Sequence, residues 1–345
     1  MYKKFISVVS TFALTLTLVT GCTSDTSTST QEEPLDKVTI AEVTHSVFYA
    51  PQYAAITQGF FEEEGIEIDL INTGGADKTM AALISNEAQV GLMGPEASVY
   101  IHNQGNEDYA VNFAQLTKRD GSFLVSREPI ENFSYEDLKG KEVLGGRKGG
   151  MPLMTFEYVL KNNGLTIGED ASSGETNVRT DIQFTAMVGA FAAGEGDFTT
   201  AFEPTASALE KEGTGYVVAS IGKDSGEVPF TAYSTTKSFM ADNEDLIQRF
   251  TNAIYKGQLW VQTASKEDVA EAMKPFFEDI SIEDLITVVD RYKSIDAWST
   301  TPVFEESSLN NLMNVMEEAN ELDKKAPYSE IVNTNFAETA IENIK

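Results

Sequence analysis

The sequence predicts an α/β protein of two lobes, joined by two hinge crossovers and enclosing a ligand cleft. Three observations carry that prediction. Short β-type runs alternate with helical patterns from Val38 to about Ile221, an order that implies largely parallel sheets covered by helices. The alternation is interrupted near Thr117 and gives way to mostly helical pattern after Pro229–Thr236. Finally, the loops at the strand ends carry residues suited to contact rather than mere turning, and most run directly into a helix start.

The N-terminus stands apart from the fold. Lys3 and Lys4 precede an apolar run from Phe5 to Val19, which reads as a secretory signal peptide (1–21). The run is shorter than the ~20 residues a membrane-spanning helix needs. It ends in Val19-Thr20-Gly21-Cys22, which resembles a bacterial lipobox, with Cys22 as the lipidated residue. Cys22 is the only cysteine, so no intramolecular disulfide can form. Residues 22–36 are Ser/Thr-rich and acidic, and read as a flexible tether.

Beyond the tether, Val38–Val43 reads as a strand, Pro51 to Phe61 as a helix closed at Gly59 or Gly65, and Ile66–Ile71 as a strand. Asp77–Asn86 (helix), Ala88–Leu92 (strand), Glu96–Asn103 (helix) and Val111–Leu116 (strand) follow. The second lobe, 126–222, holds strands at 142–145, 180–183, 197–202 and 216–221, with helices at 152–162, 185–193 and 204–211. Ser122–Ser126 is extended, and Ser134-x-x-Asp137 is a capping-box-like start. The C-terminal part reads as helices at 243–263 and 309–322, with starts at Ser265-x-x-Asp268 and Ser281-x-x-Asp284. These helices need a surface to pack on. The simplest return is to the first lobe, making it discontinuous (37–125 plus 223–345), with crossovers near 117–127 and 220–232.

The formal net charge is −29, becoming −31 once Lys3 and Lys4 leave with the signal. Such a surface repels nucleic acid and anionic lipid, so membrane contact is expected only through the lipid anchor. The composition, 41% hydrophobic with 10% aromatic residues, is enough to build sizeable cores.

In such sheets ligands bind outside the carboxyl ends of strands. The candidate ligand-binding residues are therefore His45, Ser46, Phe48, Tyr49, Gly74, Gly75, Gly94, Pro95, Glu96, Thr117, Gly149, Gly150, Met151 and Glu203. Helix starts offer free N–H groups to a carboxylate, sulfonate, phosphate or carbonyl. Phe48 and Tyr49 could wall an apolar ligand, one facing inward and the other outward. Both are expected to tolerate Ala without unfolding the lobe. His45 either touches ligand or bonds a backbone carbonyl. Glu203 lies at the cleft mouth or caps a helix. Arg147 and Lys148 attract an anion or form a solvated pair, and His102 sits on the surface. A Cys/His pair, a G-x-S-x-G elbow and H-E-x-x-H are all absent from the sequence, so it offers no catalytic motif of those kinds and implies no cofactor or metal.

The stretches "HSVFYAPQYAAITQGFFEEEGIEIDL", "SNEAQVGLMGPEAS", "YEDLKGKEVLGGRKGG" and "FTTAFEPTASALEKEGTG", in this order, resemble the substrate-binding proteins of ABC importers. The similarity is to the nitrate/sulfonate/taurine group and its relatives that bind thiamine pyrimidine precursors. It spans essentially the whole mature chain. It implies a periplasmic-binding-protein-like fold (type II), an extracytoplasmic lipoprotein, a small-molecule ligand and an ABC permease as partner. The pyrimidine-binding branch often carries W-x-P-N-x-x-H in the first loop, where this chain has Val43-Thr44-His45-Ser46-Val47-Phe48-Tyr49. That departure leaves sulfonate and pyrimidine both open. An extracytoplasmic enzyme and a surface interaction protein are the other classes the same scaffold could serve.

Overall fold

A computed structural model describes residues 34–344. The signal segment, Cys22 and the tether up to residue 33 lie outside the described residues; Asp36, expected in the tether, already opens the first strand. The chain forms two five-stranded sheets.

The first sheet has the order β2-β1-β3-β10-β4: β1 Asp36–Glu42, β2 Ile66–Asn72, β3 Val90–Met93, β4 Ala110–Thr117 and β10 Thr231–Thr236. β1 pairs parallel with β2 and β3, whereas β10 runs antiparallel between β3 and β4. The second sheet is ordered β7-β6-β8-β5-β9: β5 Ser122–Ser126, β6 Glu142–Leu144, β7 Asn177–Arg179, β8 Phe198–Phe202 and β9 Tyr216–Ser220. Here β6 pairs parallel with β7 and β8, and β5 antiparallel with β8 and β9. β4 ends at Thr117 in the first sheet and β5 begins at Ser122 in the second, so the chain passes between the sheets at residues 118–121, inside the 117–127 stretch read from sequence as a crossover.

Several elements differ from the sequence reading. The sequence reading assigns no element to 229–236, with a crossover reaching residue 232, but residues 231–236 form β10, an interior strand of the first sheet. β7 lies at 177–179 rather than 180–183. The first helix is three pieces: a 3₁₀ turn Val47–Tyr49, a helix Ala50–Thr57 and a short turn of helix Phe60–Glu63, separated at Gly59, whose φ of 77° suits only glycine well. In contrast, Glu96–Asn103 is a helix with the expected bounds, and Ser265 and Ser281 accept hydrogen bonds from Asp268 N and Asp284 N as helix caps.

The crossovers are tied to one another. Val228 N donates to Lys118 O (3.0 Å) and Phe230 N to Thr117 O (3.2 Å). A Cβ on Gly222 would stand 1.9 Å from Asp120 O, so the second crossover passes the first at backbone contact. The helix Glu244–Thr263 lies on Ala50–Thr57 equally closely, since a Cβ on Gly257 would meet Pro51 O at 2.4 Å. This packing fixes the first loop, 43–49, at the base of the cleft.

Candidate functional site

A cavity of about 400 Å³ opens where the two sheets face each other. From the first lobe it receives Val43, Thr44, Ser46, Phe48 and Tyr49 after β1, Gly74–Lys78 after β2, Gly94 and Glu96 after β3, and Phe230 and Thr231 at β10. From the second lobe come Arg147, Gly150, Met151 and Pro152 after β6, Gln183–Thr185 after β7, and Phe202 at the end of β8. Three strand-end loops thus meet three others, as the topology of parallel strands dictates.

The wall is aromatic. Phe48 packs against Tyr49, Phe202, Phe230 and Tyr292 at centroid separations of 5.2–5.9 Å. Gly121 makes room for its ring, since a Cβ there would lie 2.6 Å from Phe48. Both Phe48 and Tyr49 are buried, and both line the cavity. The expected inward/outward alternation fails because the segment is a 3₁₀ turn rather than a strand. Trp298 Nε1 donates to Phe48 O (2.8 Å) and Ser46 Oγ to Glu203 O (3.4 Å), holding the turn from both sides.

Polar side chains interrupt this wall. Glu96 is 3% exposed, and its Oε2 finds no hydrogen-bond partner among the described residues. Burial pushes its carboxyl up to about 7, against the opposing pull of its own amide, the Met151 amide and Arg147. The carboxylate lies over Gly94, where a Cβ would come within 1.9 Å of Oε2. Arg147 pairs with Asp77 across the cleft (3.2 Å), and Tyr100 Oη donates to Gly149 O (3.2 Å). Of the helices that begin at the cavity, Ala76–Ile84 and Glu96–Asn103 carry their own acid in the first turn; Ala50–Thr57 and Met151–Asn162 do not. That acid meets the positive helix end which sequence reasoning offered to an anionic ligand.

Ser46, Phe48, Tyr49, Gly74, Gly75, Gly94, Glu96, Gly150 and Met151 are thus brought together around one space. The other five expected residues are not among those lining it. His45 turns into the first lobe: Nε2 bonds Phe276 O (2.9 Å), Nδ1 bonds Glu42 (2.8 Å), and the ring stacks on Phe277. Its hydrogen bond to Glu42 raises its pKa against the effect of burial. Glu203 caps the following helix through Ser207 N and Oγ (both 2.9 Å) and pairs with Arg291 (2.6 Å). Thr117 Oγ1 bonds Thr231 Oγ1 (2.6 Å) and so joins the crossovers. Pro95 occupies the N-cap position of Glu96–Asn103. Gly149, with φ of 74°, lines an adjoining groove of about 500 Å³ on the far side of Glu96. His102, expected at the surface, is largely covered and pairs with Glu330 (2.7 Å).

A family model described as "NMT1/THI5 like" matches residues 47–267, from the 3₁₀ turn through both lobes into the C-terminal helices. The chain belongs to the NMT1/THI5-like family. A relative from Bacillus subtilis (strain 168), described as "Putative binding protein YtlA", is 45% identical over 308 residues, covering 89% of this chain and 91% of that protein. Two solved structures have similar folds. The periplasmic nitrate-binding protein NrtA from Synechocystis PCC 6803 matches with a TM-score of 0.69 at 16% identity, over 90% of this chain and 89% of that one. The alkanesulfonate-binding protein SsuA from Xanthomonas axonopodis pv. citri, bound to MOPS, matches with a TM-score of 0.68 at 14% identity, over 88% and 99%. The two-lobed architecture of this NMT1/THI5-like chain is therefore the one found in those binding proteins.

Sequence reasoning missed Phe184, Phe202 and Phe230 as members of the site. Phe202 ends β8 and Phe230 immediately precedes β10, a position that was the available signal, whereas Phe184 opens a 3₁₀ turn some residues beyond the end of β7 at Arg179. Among the described residues no helix is long and apolar enough to cross a membrane.

Proposed function

We propose that this protein is an extracytoplasmic solute-binding lipoprotein, which captures a small organic molecule between its lobes and delivers it to an ABC import permease. The observation that carries the reading is a cavity walled from both lobes, apolar over most of its lining and interrupted by polar groups, as small-molecule sites are. Ser46, Phe48, Tyr49, Gly74, Gly75, Gly94, Glu96, Gly150 and Met151 are its ligand-contacting residues. Capture by two facing lobes gives the permease a form to recognise, because a ligand touching both shifts the balance toward closure by its differential affinity. The binding proteins that share this fold, for alkanesulfonate and for nitrate, support the reading, as does the YtlA relative. The signal peptide and Cys22 supply export and a lipid anchor.

The test is thermal unfolding of the mature protein with candidate sulfonates and pyrimidines, alongside product analysis. A true ligand at a hundred times its Kd stabilises the fold by about 2.7 kcal/mol. Stabilisation without chemical change is expected. Turnover of the stabilising compound would establish an enzyme instead. For the anchor, Cys22→Ser is expected to release the protein from the membrane fraction.

A further inference from the structure

Resting on the binding-protein reading, we infer that the captured molecule is a planar organic cation, an amidinium or guanidinium, whose N–H donors face Glu96. A carboxylate oxygen buried without a hydrogen-bond partner is costly unless something completes it. Glu96 faces the cavity, and Gly94 leaves the space its carboxylate occupies. The same cavity is lined by Phe48, Tyr49, Phe184 and Phe202, and aromatic rings attract a flat cation laid against their faces.

Part of the positive charge nearby is already engaged. Arg147 is paired with Asp77, and the helix starts at Ala76 and Glu96 carry Asp77 and Glu96 in their first turns, whereas those at Ala50 and Met151 carry no acid. Lys78 is the remaining cation on the lining, set beside Asp77. An anionic ligand would have to displace these carboxylates or sit against a buried one. A cation uses Glu96 as it stands, and its binding favours the ionised carboxylate, releasing the proton that burial retains near neutrality.

The test titrates the mature wild-type protein and Glu96→Gln by calorimetry with benzamidine and the matched anion benzenesulfonate. Benzamidine is expected to bind the wild type at about pH 8 and to bind Glu96→Gln about tenfold or more weakly, as loss of a charged hydrogen-bond partner implies. Its affinity is expected to fall toward about pH 5 by about the same factor as in Glu96→Gln, as Glu96 takes up its proton, and not to change with pH in that variant. If Glu96→Gln does not fold, Gly94→Ala, which displaces the carboxylate, is expected to give the same loss. Equal or tighter binding of benzenesulfonate to the wild type, or benzamidine binding unaffected by both substitutions, overturns the inference and leaves the binding-protein reading standing. Failure of both probes at millimolar concentration overturns the inference and counts against the small-molecule cavity itself.

Discussion

Removing the guanidinium of Arg291 should cost more than any surface ion pair does. Arg291 lies in the helix Ile282–Ser294, among the C-terminal helices that pack on the first lobe, and reaches to the second. There it meets Glu203 Oε1 at 2.6 Å, Glu210 Oε2 at 2.7 Å and Ser207 Oγ at 3.2 Å. The Glu203 side chain is 0% exposed, so Arg291→Met leaves a buried carboxylate held only by Ser207. Breaking one half of a buried pair costs about 3–5 kcal/mol. For roughly 310 folded residues at about 2.1 cal/mol/K each, the entropy of unfolding is about 0.65 kcal/mol/K, so Tm should fall by about 5–8 °C. Denaturant and thermal unfolding of Arg291→Met, Glu203→Gln and the double variant measure it. The double variant should recover at least about half of the loss, because the stranded charge is gone. A loss below about 1 kcal/mol, the level of an exposed pair, would refute the argument, as would a double variant no more stable than Arg291→Met.

Glu96 should make stability pH-dependent. Its folded pKa of about 7 lies above the ordinary 4.5, so the folded protein keeps a proton that the unfolded chain releases. That contribution is complete below about pH 4.5 and lost as pH rises through about 7, a change of about 3 kcal/mol in wild type relative to Glu96→Gln; a flat difference across that range would contradict it. Gly257→Ala should lower stability by about 1–2 kcal/mol despite better helix propensity, since its Cβ would collide with Pro51 O, and a rise in Tm would contradict the packing. Phe48→Ala should cost about 3–5 kcal/mol, because the ring is buried in an aromatic cluster, contrary to the expectation that Ala would be tolerated there. Phe184→Ala, by contrast, should weaken ligand about tenfold with a Tm within a few degrees of wild type, since that ring is only partly covered.

What the sequence made legible, and what it hid, follows from burial. Glu96–Asn103 and Ser122–Ser126 have the bounds the pattern gives, because a helix with one covered face and a short β-type run both leave clear periodicity. β10 goes unassigned in the sequence because "TAYSTT" is mostly small and polar, yet all six are buried between β3 and β4, where Ser and Thr are shielded by paired backbone on both sides. β7 was displaced by three residues since "NVRTDIQF" contains two equally plausible β-type runs, and only pairing with β6 selects the first. At the site, strand-end loops identified nine of the lining residues. His45 and Glu203 were drawn elsewhere by partners far along the chain, Phe276 and Arg291, which no local pattern displays. The aromatic wall was hidden for the same reason: Phe48, Phe184, Phe202 and Phe230 come from four separate segments and meet only in the folded chain.

The claim that everything else depends on is that a small molecule occupies the space between the lobes. Thr185 is an exposed residue on the lining, so Thr185→Trp fills that space without removing a buried contact. Mass spectrometry of small molecules released on denaturing the purified proteins gives the direct measurement. A stoichiometric compound from wild type and none from Thr185→Trp is the predicted result; the same compound retained in equal amount by the variant would contradict it.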